Sequence, residues 1–239
     1  MDRTNTQSAA SVRKNVSFFS EHLHSYQGQI QTLDSYRLLR ERADRELAGT
    51  AKLCDIGNGG VFNYDVSRIG QVTAVDLFLD RIDQGSYPAN VAFRQGSALD
   101  LPLPDSQFDV VFMENLIHHL VGDTVGACLA NVRRCFAECH RVLKPGGRLV
   151  VFESCVPSWF ESVERVAFPV TRRVIQRLAE HPPAFQYAPS RLLGILREHD
   201  SNAAVEKLPL GRWVLQLGVK WPAALSPVGM WCFRTRKSA

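Results

Sequence analysis

Two carboxylates, a cluster of glycines and a pair of histidines are the residues of this chain best suited to chemistry. In Lys52-Leu53-Cys54-Asp55-Ile56-Gly57-Asn58-Gly59-Gly60 an apolar run ends in glycines, with Asp55 where the run stops. Glycines there let the chain turn at φ > 0 and let backbone N–H groups approach a ligand that a Cβ would hold away. A strand, a glycine turn and a helix start is a general seat for a nucleotide-like ligand at a sheet edge. Asp76 closes the next apolar run, Val72-Thr73-Ala74-Val75. An acidic residue about twenty positions past such a turn can accept both hydroxyls of a ribose; its plainer use is a helix N-cap. Leu77 and Phe78 follow and offer an apolar wall for a purine ring. His118 and His119 come after a later apolar run, and an imidazole is a suitable general base at neutral pH.

The elements that must position these residues alternate along the chain. From Val16 the pattern is helical, with Phe18, Phe19, Leu23 and Tyr26 on one side. A second helix carries Tyr36, Leu39, Ala43 and Leu47 at steps of three and four, with Gly49 as its stop. The two helices either pack on the flank of a sheet or form a lid, with Tyr26, Arg37 or Arg40 reaching a ligand carboxylate. Strands are expected over 51–56, 72–76, 90–95, 109–113 and 148–153, with a short helix after the glycine turn. A long amphipathic helix bears Leu129, Val132, Phe136, Cys139 and Leu143 and should stop at Lys144-Pro145-Gly146-Gly147. This alternation predicts an α/β domain with a doubly wound, mostly parallel sheet. Beyond Glu153 a helical stripe runs through Phe160, Val163 and Ala167, and Pro169 should kink or break it. Another helix includes Leu192–Arg197. Closing strands are expected over 203–208 and 229–235, joined by a long segment with Trp213 and Trp221.

The 239 residues suit one domain with additions, and 45% hydrophobic and 22% charged residues are ordinary for a globular protein. A formal charge of +4, scattered but for the tail Arg234-Thr235-Arg236-Lys237, argues against a nucleic-acid partner. Six cysteines show no Cys-x-x-Cys pair. Cys128, Cys135 and Cys139 at helical spacing read as core thiols rather than metal ligands, as in a reducing cytoplasm. No N-terminal apolar region and no run of membrane-spanning length is present. The expectation is a cytoplasmic protein with no membrane or metal partner, monomeric or homodimeric.

Taken in order, four blocks resemble the class I S-adenosylmethionine-dependent methyltransferases, most closely the small-molecule group that includes the quinone-biosynthesis C-methyltransferases. They are Leu53 to Gly60; Val75-Asp76-Leu77; Gly96-Ser97-Ala98-Leu99-Asp100-Leu101-Pro102 with Phe108-Asp109-Val110-Val111; and Arg141 to Leu149. The resemblance implies a seven-stranded Rossmann-like sheet over 51–239, flanked by helices in 1–50 and capped by an insertion at about 156–190. It implies S-adenosyl-L-methionine as cofactor. Asp55, Gly57, Asn58 and Gly59 would lie against its amino-acid and ribose parts, and Asp76 would bind the ribose diol. Ser97, Ala98 and Leu99 would frame the adenine beside Leu77 or Phe78. Glu114 would lie by the methionine portion, and Asn115 and its successors would face the acceptor. Two departures stand out: Val61 at the family's third turn glycine, and Ser97 where an adenine-reading aspartate is usual.

Methyl transfer needs chiefly an acceptor held in line with the sulfur. A base is needed only where the acceptor has a proton to lose, and His118 and His119 stand where family acceptor sites lie. Adjacent residues point apart, so one at most serves, with His119 preferred; both could instead satisfy local backbone groups. Trp159, Phe160, Phe168, Tyr187, Trp213 and Trp221 are candidates to line an acceptor pocket. Two other functions remain open: a protein that binds the cofactor without transferring a methyl group, and a nicotinamide-dependent dehydrogenase. The dehydrogenase wants Gly-x-Gly-x-x-Gly, and Phe62 stands at its third glycine.

Overall fold

The computed structural model describes residues 34–80, 82–178, 184–216 and 219–238. The helix expected from Val16 through Tyr26 lies outside them. Apolar runs buried on both faces make the strands of a parallel sheet: β1 (Lys52–Ile56), β2 (Gln71–Asp76), β3 (Val91–Gln95), β4 (Phe108–Glu114) and β5 (Leu143–Cys155). These join β6 (Ala204–Leu208) and β9 (Gly229–Arg236) in a seven-stranded sheet of order β3-β2-β1-β4-β5-β9-β6. β1 through β5 pair in parallel, and β9 runs antiparallel to both β5 and β6. The chain reverses its direction of travel across the sheet at β1 and β4, the kind of place where doubly wound sheets bind ligands.

One face is covered by α1 (Asp34–Leu47), which sets Leu39, Ala43 and Leu47 against Leu53, Val72, Val110 and Phe152. The other face is covered by α2 (Val125–Val142) and α4 (Pro189–Leu196). In α2, Cys128, Val132, Cys135, Phe136 and Cys139 recur at the spacing of one helix face, and all are fully buried. Thr124 caps that helix by accepting a hydrogen bond from the Ala127 N–H. The six cysteines are free thiols and buried.

Several local expectations needed correction. The glycine turn leads into a single 3-10 turn, Val66–Arg68, capped by Asp65, where a short helix was expected. The long helix stops at Val142, and β5 begins at once, ahead of the expected start near 148. Lys144 to Gly147 form a bulge between the Phe108–Leu143 and Val110–Arg148 pairs, with Gly146 at φ 75°. Partners distant in sequence hold it: Gly146 N–H donates to the Lys237 carbonyl and Lys237 Nζ donates to the Leu143 carbonyl. α3 (Ser158–Leu178) runs through Pro169 without ending. That proline is exposed, so it forfeits one backbone hydrogen bond without forcing its ring into the core. The long closing segment contains a separate hairpin, β7 (Trp213–Gln216) with β8 (Val219–Pro222). Trp213 and Trp221 sit on it, both more than 40% exposed and outside the main sheet.

Candidate cofactor and acceptor site

The parallel pairing brings the C-terminal ends of β1, β2 and β4 to one edge, so Asp55, Asp76 and Glu114 gather there. Gly57, Gly59 and Gly60 all have positive φ, the conformation the turn demands after β1. Gly57 also needs its small size, since a Cβ there would stand 2.7 Å from a methyl group of Leu116. Its N–H donates to the Val75 carbonyl at 2.8 Å and locks the turn to β2. Asp76 Oδ2 accepts from the Gly59 N–H and Oδ1 from the Phe78 N–H, both at 3.0 Å. One carboxylate thus ties the glycine turn to the start of the next loop.

Asp55 is buried, and its Oδ2 accepts from the Tyr64 hydroxyl at 2.7 Å and from Asn58 Nδ2 at 2.8 Å. Burial pushes its carboxyl up to about 7, with the Asp76 charge adding and the two donors opposing. Glu114 accepts from Asn63 Nδ2 at 3.1 Å. Burial, with Asp55 and Glu153 nearby, pushes it up to about 7 as well. Burial also raises Asp76. Asn63 is 6% exposed, and its Oδ1 has no hydrogen-bond partner among the described residues. The three crowded carboxylates lack a neighbouring positive charge among those residues and the Asn63 carbonyl oxygen lacks a donor, and a cationic ligand with an ammonium group would supply both. Asn63 and Tyr64 escaped sequence reasoning because they sit in the loop that replaced a helix, where no periodicity marks them.

The residues expected beside an adenine behave differently. Ser97 spends its hydroxyl accepting from the Leu99 N–H at 3.1 Å. Ala98 and Leu99 are buried in the core, while Leu77 and Phe78 are half-buried.

Beyond Glu114, Asn115 takes the left-handed conformation at φ 53°, and a 3-10 turn holds Ile117 to His119. The two imidazoles lie 4.1 Å apart between centroids. His118 Nδ1 is 2.6 Å from Oε1 of Glu153, a residue at the end of β5 with no exposed surface. Glu153 Oε2 also accepts from the Ile117 N–H, and Oε1 from the Ser154 N–H. The segment 184–188 is stitched over this corner. Phe185 N–H donates to the His118 carbonyl, and Tyr187 bridges Cys155. Gln186 N–H donates to Glu164 and Ala188 N–H to Glu161, both carboxylates coming from α3. Phe168, Phe185 and Tyr187 pack edge to face there. Tyr187 is buried and its hydroxyl has no partner among the described residues, whereas Trp159 is 64% exposed and Phe160 half-buried. Arg37 pairs with Glu41 on the exposed side of α1.

Among the described residues no cluster of three or more His, Cys, Asp or Glu could hold a metal ion, and no helix is long and apolar enough to cross a membrane. An open cleft of about 450 Å3, lined by Asp109, Lys144, Arg148 and Arg236, lies at the opposite end of the strands from the carboxylates.

Residues 54–151 match a family model described as a methyltransferase domain. Uncharacterized protein YafE of Escherichia coli K12 is 30% identical over 174 residues, covering 66% of this chain and 73% of that one. The ubiquinone/menaquinone biosynthesis C-methyltransferase UbiE of Psychromonas ingrahamii is 28% identical over 155 residues, or 57% of each chain, so this chain spans little more than half of that relative. In fold the chain is similar to the 1,6-didemethyltoxoflavin-N1-methyltransferase of Burkholderia thailandensis, at a TM-score of 0.61 and 17% identity over 100% of this chain and 94% of the other.

Proposed function

Since this chain belongs to the class I S-adenosylmethionine-dependent methyltransferases, with S-adenosyl-L-methionine as cofactor, we propose that it methylates a small-molecule acceptor whose attacking atom loses a proton to a histidine. The observation that carries the reading is the gathering of Asp55, Asp76 and Glu114 at one sheet edge around a positive-φ glycine turn. The bound cofactor supplies an electrophilic methyl group on a positively charged sulfur, open to in-line displacement.

The chain's own residues hold and orient. Asp76 accepts the ribose hydroxyls, and Gly57, Asn58 and Gly59 present bare backbone beside them. Asp55, Glu114 and the Asn63 carbonyl surround the ammonium end, where positive charge relieves their mutual repulsion. Leu77 and Phe78 cover one face of the adenine, with Ser97, Ala98 and Leu99 at its rim. Asn115, Trp159, Phe160 and Tyr187 border the acceptor, and the α3 cap with segment 184–188 keeps water from it. Orientation of this kind is worth effective molarities of order 10⁵–10⁸ M. His118 or His119 takes the proton as the acceptor attacks. Of the two, His118 is favoured, because its ring is anchored to a buried carboxylate at 2.6 Å.

The test is incubation with S-adenosyl-L-methionine and a panel of hydroxylated aromatic, heterocyclic and amine acceptors, read by mass spectrometry. A methyl-group increment on an acceptor, with stoichiometric S-adenosylhomocysteine, is expected. Cofactor binding with no increment across the panel favours a protein that binds without transferring; binding of NADH in place of S-adenosylhomocysteine revives a dehydrogenase.

A further inference from the structure

The corner where β4 and β5 end contains the buried carboxylate that anchors the His118 ring, and its other contacts say what that anchoring does. Glu153 is fully buried, yet three donors and one imidazole nitrogen converge on it. Ile117 N–H reaches Oε2 at 2.6 Å; Ser154 N–H and Ser154 Oγ reach Oε1 at 2.8 and 3.2 Å; His118 Nδ1 reaches Oε1 at 2.6 Å. A buried carboxylate surrounded by donors acts as an acceptor throughout, and the short contact to Nδ1 is that of a charge-assisted hydrogen bond. The imidazole is then committed: with its proton on Nδ1, the lone pair is on Nε2. The Ile117 contact fixes the backbone just ahead of the ring, and the Phe185 N–H bond to the His118 carbonyl fixes it from the other side. A further carboxylate, Glu164 on α3, acts on His118 through space.

We propose that Glu153 is the positioning residue of the acceptor site, holding His118 as the Nδ1–H tautomer so that Nε2 faces the acceptor as the proton-accepting atom. This rests on the methyl-transfer reading for its catalytic meaning, though the tautomer itself does not. In the step served, the acceptor atom forms its bond to the methyl carbon, the carbon–sulfur bond breaks with its electron pair going to sulfur, and the acceptor's proton passes to Nε2. The imidazolium that results is stabilised by the Glu153 carboxylate on its far side.

The experiment is long-range 1H–15N spectroscopy of histidine side chains in the full chain with S-adenosylhomocysteine added, His118 being assigned by its loss in His118→Gln. The wild-type protein is expected to show His118 as the Nδ1–H tautomer. Glu153→Gln, which places an amide where only an acceptor fits, should erase that preference while S-adenosylhomocysteine affinity stays within about twofold. An Nε2–H tautomer in the wild type, or an unchanged Nδ1–H signal in Glu153→Gln, overturns the proposal. If Glu153→Gln fails to fold, the wild-type tautomer still decides. With an acceptor in hand, kcat in Glu153→Gln should fall about 10²-fold or more at unchanged cofactor KM. A correct tautomer with no methylated product would sink the enzymatic reading and leave the Glu153 assignment standing.

Discussion

Cofactor affinity should depend steeply on pH below neutrality, with a size set by Asp55 and Glu114. Both carboxyls are pushed up to about 7 in the ligand-free protein, chiefly by burial. A cation bound beside them favours the ionised form, so binding must release whatever protons they hold. A group of pKa about 7 is about half ionised at pH 7 and about 3% ionised at pH 5.5. If one such group must ionise, the dissociation constant rises about sixteenfold over that interval; if both must, about 260-fold. The ligand's α-amino group stays charged throughout that window, so it adds no opposing slope. Titration calorimetry with S-adenosylhomocysteine, in buffers of different ionisation enthalpy, reads both the affinity and the protons released. Between one and two protons released near pH 6 is the expected result. The sign for folding runs the opposite way. Carboxyls raised in the folded state bind more protons there than in the unfolded chain, so ligand-free stability should fall as pH climbs from about 4 to about 7. Saturating ligand should flatten that fall. A pH-independent dissociation constant with no proton release would refute the placement of these carboxylates against the cofactor.

Three further outcomes are expected. Tyr64→Phe removes a donor that opposes the rise at Asp55, so the midpoint of the affinity–pH curve should move upward by about one to two pH units, a charge-assisted bond being worth about 1.5–3 kcal/mol; a midpoint that stays put or falls would contradict the bond's role. Gly57→Ala forces a Cβ into a left-handed residue and onto Leu116, costing about 1–2 kcal/mol for the backbone alone, and should lower the melting temperature and weaken S-adenosylhomocysteine binding together; a variant with unchanged melting and affinity would show that the turn is not so constrained. Phe136→Ala opens a void in the fully buried face of α2 and should cost about 3–5 kcal/mol in denaturant unfolding; a loss under about 1 kcal/mol would mean that this face is not the packed core.

Much of the frame was legible in the sequence, because parallel strands buried on both faces appear as apolar runs and the glycine turn announces its own geometry. The strand ends therefore fell where Asp55, Asp76 and Glu114 were expected. What the sequence hid is what only distant partners decide. Lys144-Pro145-Gly146-Gly147 is written like a helix stop and a loop, yet Lys237 draws it into a strand bulge. Pro169 obeys its local rule only in part, since an exposed proline can ride on a helix whose other side is packed. Tyr64 and Asn63 lie in a loop without periodicity, so nothing local marks them as partners of Asp55 and Glu114. Glu153 reads as one more strand-terminal residue until the register of β4 with β5 sets it beside Ile117 and His118. That contact moves the emphasis from His119, the residue preferred on sequence grounds, to His118.

Calorimetric titration of S-adenosylhomocysteine into the wild-type protein and into Asp76→Ala is the most direct trial of a cofactor seat built on the ends of β1, β2 and β4. The wild type should bind, and loss of the Asp76 carboxylate should raise the dissociation constant by about 10²-fold, the worth of a charged hydrogen-bonding group to a ribose diol. Equal affinity in the two proteins, or no binding by the wild type, would contradict it.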